Sequence, residues 1–539
     1  MGLNWIRRTG LIIGSALALT MLFANLLGLD HNENWGGRRI VLFLGGLLLV
    51  FFSIRNSSLR LLINRLQDKT ARANFAAIAA ILLVTLSYVW WVSLGLWTDW
   101  PETTAYYDML ARAFSHGNPH LEVQPAPALL ALEDPYDPEN RSGIPVLWDA
   151  SLYEGRYYLY WGPAPAVFLV PLTWISDQVI GDHLITLISV AGMYVFLTLT
   201  LLHLWQSNYP DIPAGILSAC LILAGIINPI PFLLVDPRIY EAAVAAGQFF
   251  LLGGIYFLFT GMTKPSNPRF FLAGASLALA ASSRTILILP VLFLGVFILV
   301  RFLSNKEDAQ LGRIGSLILP LMVGAGALLW YNYARFGSVF EFGYGYQLTG
   351  FDIHAYINQT YSPTYIPPNV YKYLLNPFEF RQNFPFIKPS LWAGPAWLES
   401  HPSQLYYLLA EGITGILIGS PFLILTLIPT KKGVRWIVRA LAGSTLMILG
   451  LTLSFFYATM RYLLDFVPLL TIMAVLGAWE GYLRFEGHPI SRFTFRSLAL
   501  ILWLYTCGFS VLLAFSSNLS RFRTFNPELI QAINLTFFR

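Results

Sequence analysis

Asp99 and Glu102 stand three residues apart in Asp99-Trp-Pro-Glu102, followed by Tyr106-Tyr107-Asp108 and Ala111-Arg112. A carboxylate at the end of an apolar span, over a cavity of low dielectric, suits the removal of a proton from an incoming hydroxyl or amine. Asp99 and Glu102 are the first candidate bases and Asp108 the third. Equally, each is a residue type that sits solvated at a membrane interface. If Pro101 opens a short helix with Thr98 or Asp99 as its cap, Tyr107 and Ala111 share a face.

Arginines form the second candidate set. Arg238 lies in Asp236-Pro-Arg-Ile-Tyr-Glu241, Arg284 follows Ser282-Ser283, and Arg461 lies in Met460-Arg-Tyr-Leu-Leu-Asp465; Arg335 and Arg381 fall in a long loop. Guanidinium forks grip phosphate in a bidentate manner, so several of them on one membrane face suggest an anionic headgroup site. The alternatives are snorkelling to ordinary lipid phosphates or pairing with Asp236, Glu241 and Asp465. A third set is aromatic, Tyr157-Tyr158-Leu-Tyr160-Trp161-Gly-Pro-Ala-Pro165. It fits stacking on a sugar or isoprenoid unit, or a plain aromatic belt at the interface.

Other chemistries lack their residues. There is no Walker loop, no H-E-x-x-H, no paired C-x-x-C, and no G-x-G-x-x-G opening a helix after a strand. His116, His120, His354 and His401 fall in none of these motifs. Cys220 and Cys507 both fall in apolar runs and read as small packing residues.

The elements that must position these residues follow from composition. Of 539 residues, 56% are hydrophobic and only 12% are charged, about half the charged share of ordinary globular chains. The chain is expected to be an all-α polytopic membrane protein. Its excess of basic residues sets topology and does not point to nucleic acid. The N-terminal apolar run Thr9–Leu29 behind Arg7 and Arg8 reads as a retained signal anchor. Further spans are Arg39–Ile54, Phe75–Trp97, Leu184–Trp205, Pro213–Leu234, Tyr240–Thr260, Ile286–Arg301, Ser316–Tyr333, Tyr406–Pro429, Trp436–Tyr457, Leu463–Tyr482 and Leu498–Ser517.

The basic loop Arg55–Arg72 should be cytoplasmic, as should the basic loops near 264–269, 301–313, 431–435 and 484–496. All share one side only if Phe270–Ser283 crosses and Pro165–Ile180, broken by Pro171, does not. The result is about 13 transmembrane helices, an inside N-terminus, an outside C-terminus and two long extracytoplasmic loops. The expected parts are 1–74 (two helices and a basic loop), 75–333 (core, with an acidic outer loop at 98–164), 334–405 (second outer loop) and 406–539 (C-terminal helices). Between Trp97 and Pro171 ten carboxylates face three arginines, which is why the first loop is expected to form the floor of a site.

The short motifs together resemble those of the membrane-embedded glycosyltransferases of the GT-C class, most closely the bacterial relatives of protein O-mannosyltransferases and of the lipid A aminoarabinose transferase. The resemblance runs from Asp99 and Glu102 through Tyr107, Ala111-Arg112 and Gly117 to Tyr157-Tyr158 and Gly162-Pro-Ala-Pro165, then to Arg238 with Glu241, to Gly274–Arg284, and to Arg461-Tyr462. Two features depart from it. No acid directly precedes the tyrosine, and two spans come before the span that carries the loop. The resemblance implies an inverting transferase of the bacterial inner membrane, with its site facing outside. A polyprenyl-phosphate sugar would be the donor, and a glycan, glycolipid or protein the acceptor. Asp99, Glu102 or Asp108 would be the base, and Tyr107, Arg112, Tyr158, Trp161, Arg238, Glu241, Arg284, Arg461 and Tyr462 would bind substrate. Some members of the class use a divalent metal and others do not; the sequence names no metal ligands. The competing expectation is a flippase or transporter for the lipid-linked sugar, using the same arginines, which would place ionisable residues deep within spans.

Overall fold

Apolar runs long enough to cross a bilayer become helices, because a helix satisfies its own backbone groups where water cannot. The computed structural model describes residues 2–24, 37–53, 68–101, 103–304, 310–391, 394–395, 411–485 and 487–537, and the protein is an all-α polytopic membrane protein. Its described helices are α1 (Gly2–Leu22), α2 (Gly37–Ser53), α3 (Lys69–Val92), α4 (Tyr106–Ser115), α5 (Ala164–Thr173), α6 (Asp182–Asn208), α7 (Ala214–Ile226), α8 (Ile230–Val235) and α9 (Ile239–Thr263). They continue with α10 (Asn267–Ser283), α11 (Ile288–Ser304), α12 (Gln310–Phe336), α13 (Ile366–Leu374), α14 (Arg435–Ser454), α15 (Val467–Arg484), α16 (Pro489–Ser517), α17 (Leu519–Phe525) and α18 (Pro527–Phe537).

Seven of these are long and apolar enough to cross a membrane by length and composition: α3, α6, α9, α11 with the 3-10 turn before it, α12, α14 and α16. Shorter or broken pieces complete the bundle. Helices α7 and α8 divide one apolar run at Pro229, and Ile416–Gly419 runs into the 3-10 stretch Pro421–Leu427. Helix α10 has 17 residues, a rise of about 25 Å. It starts beside the basic turn of Lys264 and Arg269 and ends at Arg284.

At that basic end, side chains tie the turns together. Tyr209 donates to Glu480 at 2.9 Å, Arg484 donates to the carbonyl of Pro429 at 3.0 Å, and Lys431 reaches the carbonyl of Asn208. The opposite end carries the two long loops. Helix α4 has no side-chain cap of its own. Its N-terminus is capped by Asp182, the first residue of α6, which accepts from Tyr106 N at 3.0 Å, Tyr107 N at 3.3 Å and Thr104 Oγ1 at 2.6 Å. One carboxylate thus serves two helix N-termini, where free N–H groups and the dipole favour negative charge.

Helix α5 has ten residues, a rise of about 15 Å, with Pro171 in its last turn. The segment after it is stitched back onto α4. Arg112 donates to the carbonyls of Asp177 and Gln178 at 3.2 and 2.8 Å, and Ile180 N donates to Asp108 at 3.1 Å. A tight hairpin precedes it, with β1 (Ser151–Tyr153) antiparallel to β2 (Arg156–Tyr158). The turn residues Glu154 and Gly155 both have positive φ, 46° and 73°, as the favoured two-residue hairpin turn requires. The second ribbon pairs β3 (Phe378–Phe380) with β4 (Ile387–Pro389).

The two loops meet backbone to backbone. Asp149 N donates to Leu348 O at 2.9 Å, and Leu348 N returns a bond to Ala150 O at 3.0 Å. Arg335, buried in the last turn of α12, donates to the carbonyl of Leu159 at 2.6 Å. The C-terminal turns close over the first loop. Arg521 binds Asp236 at 2.7 Å and the carbonyl of Pro101 at 3.1 Å, while Asn526 donates to Leu94 O at 2.9 Å.

Candidate active site at the meeting of two cavities

Two cavities lie side by side at the loop end of the bundle. The larger, about 600 Å³, is bordered by both loops, and its polar groups include Asp149, Asp236, Arg238, Glu241, Lys388 and Glu411. The smaller, about 250 Å³, is bordered by Trp161, Ser283, Arg284, Ile286, Phe342 and Leu451 among others. Tyr160, Tyr240, Tyr344, Phe455, Arg461 and Tyr462 belong to the lining of both. These six side chains form a shared wall, and Arg461 is its cation.

Arg461 sits at the head of the short 3-10 turn Met460–Asp465, which leads into α15. Its Nη1 is 3.5 Å from Glu241 and its Nη2 is 3.1 Å from Glu411. The guanidinium also lies over the Tyr240 ring, 4.7 Å from its centroid. Glu411 is held from behind by the Thr459 hydroxyl. Glu241 accepts from the backbone N–H of Arg238 at 3.0 Å, closing the first turn of α9. Two carboxylates and an aromatic face therefore fix the fork while leaving it on the cavity surface.

Arg284 occupies the break between α10 and α11. It makes a two-pronged pair with Asp465, both contacts at 2.8 Å, and its charge lies 5.0 Å from the Tyr462 ring centroid. Asp465 is fully buried; without the arginine it would be a stranded charge, costing several kcal/mol (roughly 3–5). Trp161 approaches this pair because Gly162 lets the chain pass close to α10: a Cβ there would stand 2.1 Å from the carbonyl oxygen of Ser282.

The sequence candidates divide by place. Trp161, Arg238, Glu241, Arg284, Arg461 and Tyr462 line one cavity or both. The pairings weighed as alternatives are present as well: Arg238 with Asp236 at 2.7 Å, Arg461 with Glu241, and Arg284 with Asp465. Asp99 is exposed and borders neither cavity. Glu102 lies outside the described residues. Asp108 is buried in an ion pair with Arg112 at 2.7 Å, so both serve the stitch that turns α5 back. Tyr107 is fully buried in α4, and Tyr158 packs its ring on Phe336 behind the hairpin. Among the described residues no three His, Cys, Asp or Glu side chains come together as metal ligands.

Asp149 and Glu411 were not singled out by the sequence. Asp149 is one of ten acids in its loop and has no motif around it. Its partner is Tyr240, whose hydroxyl donates to Oδ2, and that contact spans 91 positions of sequence. Burial raises its carboxyl above the ordinary carboxylate range, against the opposing pull of the hydrogen bonds from Tyr240 and Thr349 and of Arg461 and Arg141.

No family model matches the chain, and no curated protein matches it. Among solved structures the chain is similar to the Archaeoglobus fulgidus oligosaccharyltransferase in its apo form, with 11% identity and a TM-score of 0.45 over 82% of this chain and 56% of that one. It is also similar to ArnT from Cupriavidus metallidurans bound to undecaprenyl phosphate, with 10% identity and a TM-score of 0.44 over 84% of this chain and 77% of that one.

Proposed function

We propose that the protein is an inverting glycosyltransferase that moves a sugar from a polyprenyl-phosphate-linked donor to an acceptor hydroxyl at the extracytoplasmic face of the membrane. The observation that carries this reading is the shared wall: an arginine accessible from two cavities of different character. The smaller cavity, with Ile286, Phe342, Leu451 and Trp161 around Arg284, suits a lipid phosphate and the first units of its chain. The larger, with its carboxylates and cations, suits a polar acceptor.

Chemistry at the wall follows from charge. A phosphodiester donor carries one negative charge, and breaking the bond between its oxygen and the anomeric carbon leaves two. A fixed cation beside that oxygen therefore binds the transition state better than the ground state. In this reading Arg461 serves that role and Arg284 holds the phosphate throughout. Topology supports the outward orientation, since the basic turns collect at the opposite end.

The test is transfer in proteoliposomes from an undecaprenyl-phosphate-linked radiolabelled sugar, with release of free undecaprenyl phosphate as the readout. Release that depends on Arg461 is expected. Intact donor arriving in the opposite leaflet without release would replace the transferase by a flippase.

A further inference from the structure

We propose that Asp149 is the catalytic base of the transfer and that Tyr240 is the residue that positions it. The inference rests on the sugar-transfer reading above.

Among the acids placed at the cavities, Asp149 alone combines a fixed backbone, one oxygen held by Tyr240 and one buried oxygen with no hydrogen-bond partner among the described residues. Its backbone is in the left-handed region, φ 59°, a conformation that costs a non-glycine residue about 1–3 kcal/mol and persists where the surroundings over-determine it. Here the second loop over-determines it, through the paired bonds between Asp149, Ala150 and Leu348. Oδ2 accepts from the Tyr240 hydroxyl. Oδ1 is buried and has no hydrogen-bond partner among the described residues, and the residue borders the larger cavity. A buried acceptor with an empty lone pair is costly unless something fills it, and an acceptor hydroxyl would. The other acids of that cavity are committed: Asp236 to Arg238 and Arg521, Glu241 to Arg461 and the backbone of Arg238, and Glu411 to Arg461 and Thr459.

Tyr240 joins the two halves of the reaction. Its ring lies beneath Arg461 and its hydroxyl on Asp149, so one rigid side chain spaces the base from the phosphate cation. In the step, Oδ1 of Asp149 takes the proton of the acceptor hydroxyl as that oxygen bonds to the anomeric carbon. The bond from that carbon to the phosphate oxygen breaks on the opposite side. Its electron pair stays with the lipid phosphate, and the proton stays on Asp149 until product leaves.

The groups facing Asp149 set its pH behaviour. They are Tyr240 from α9, Arg461 from the 460–465 turn, Arg141, Tyr106 and Tyr160 from the first loop, and Tyr344 from the second. The phenols are neutral near pH 7, so the Tyr240 bond, the Thr349 hydroxyl and the two arginines are what favour the charged carboxylate. The base works deprotonated, so kcat rises with pH through the Asp149 pKa. Removing the Tyr240 hydroxyl raises that pKa further and moves the acidic limb of the profile to higher pH.

The experiment compares wild-type protein with Asp149→Asn, Asp149→Glu and Tyr240→Phe in proteoliposomes. It measures kcat against pH for transfer from the undecaprenyl-phosphate-linked sugar, and separately the binding of undecaprenyl phosphate. The expected result is a loss of about 10²–10⁴-fold in kcat for Asp149→Asn, unchanged binding of undecaprenyl phosphate, partial recovery in Asp149→Glu, and the shifted acidic limb in Tyr240→Phe. Full turnover in Asp149→Asn overturns the inference and leaves the transferase reading standing. Loss of binding together with turnover, without recovery in Asp149→Glu, assigns Asp149 a structural role and also overturns it. Wild-type protein that binds undecaprenyl phosphate yet transfers nothing overturns the transferase reading, and the base assignment with it.

Discussion

Asp182 and Asp149 are both buried acids at the loop end of the bundle, yet they are used in opposite ways. Asp182 accepts three hydrogen bonds, from Thr104, Tyr106 and Tyr107, and its negative charge sits at two helix N-termini. Asp108 is similarly occupied, by Arg112 and the backbone of Ile180. Asp149 keeps one oxygen without a partner and borders a cavity. Saturated carboxylates hold the loop in shape, whereas Asp149 keeps one buried oxygen unengaged beside the larger cavity. Burial alone does not separate the two kinds; what separates them is whether every lone pair is already engaged.

That contrast can be broken by mutation. The largest effect belongs to Asp149→Asn, whose loss of turnover should come without loss of thermal stability. Next is Asp182→Asn, which should lower stability by about 2–3 kcal/mol, the scale of hydrogen bonds to a charged group, while turnover per folded molecule is kept. Thermal unfolding in detergent, read beside activity, checks this; an Asp182 variant that unfolds normally but turns over poorly would erase the distinction.

Arg461→Lys keeps a charge between Glu241 and Glu411 but removes the fork. Binding of undecaprenyl phosphate should weaken about tenfold, or about 1.4 kcal/mol, measurable by titration in nanodiscs. Arg112→Gln is smaller again. Its partly exposed pair with Asp108 should cost about 1 kcal/mol or less in the same unfolding assay. Asp99→Asn should change turnover least, because its side chain is exposed and borders neither cavity.

Much of the frame is legible along the chain because it depends on local rules. Pro163, Pro165 and Pro171 mark the start and the early end of α5, a helix of ten residues. Arg238, Arg284 and Arg461 stand out because each breaks the charge bias of its face; of their acidic partners only Asp236, beside Arg238, is local, whereas Arg284 meets Asp465 181 positions away and Arg461 meets Glu241 from another element. Asp149 offers no such signal. Its hydrogen-bond donor comes from α9 and its backbone partner from the second loop, so only the folded chain distinguishes it from nine other acids. Asp108 fails in the opposite sense. Its spacing to Arg112 reads as a helix pair, but the carbonyls that make the pair a stitch, those of Asp177 and Gln178, lie 65 and 66 positions beyond Arg112.

The contacts of Arg521 and Asn526 with Pro101 and Leu94 join positions separated by 420 and 432 residues. Those bonds cannot form until residues 521 and 526 have been made. The Asp236 turn, which borders the larger cavity, receives its Arg521 partner at the same late moment. Biogenesis and competence are thereby coupled: a nascent chain halted before residue 521 lacks the bonds that fasten its first loop at the rim of the site.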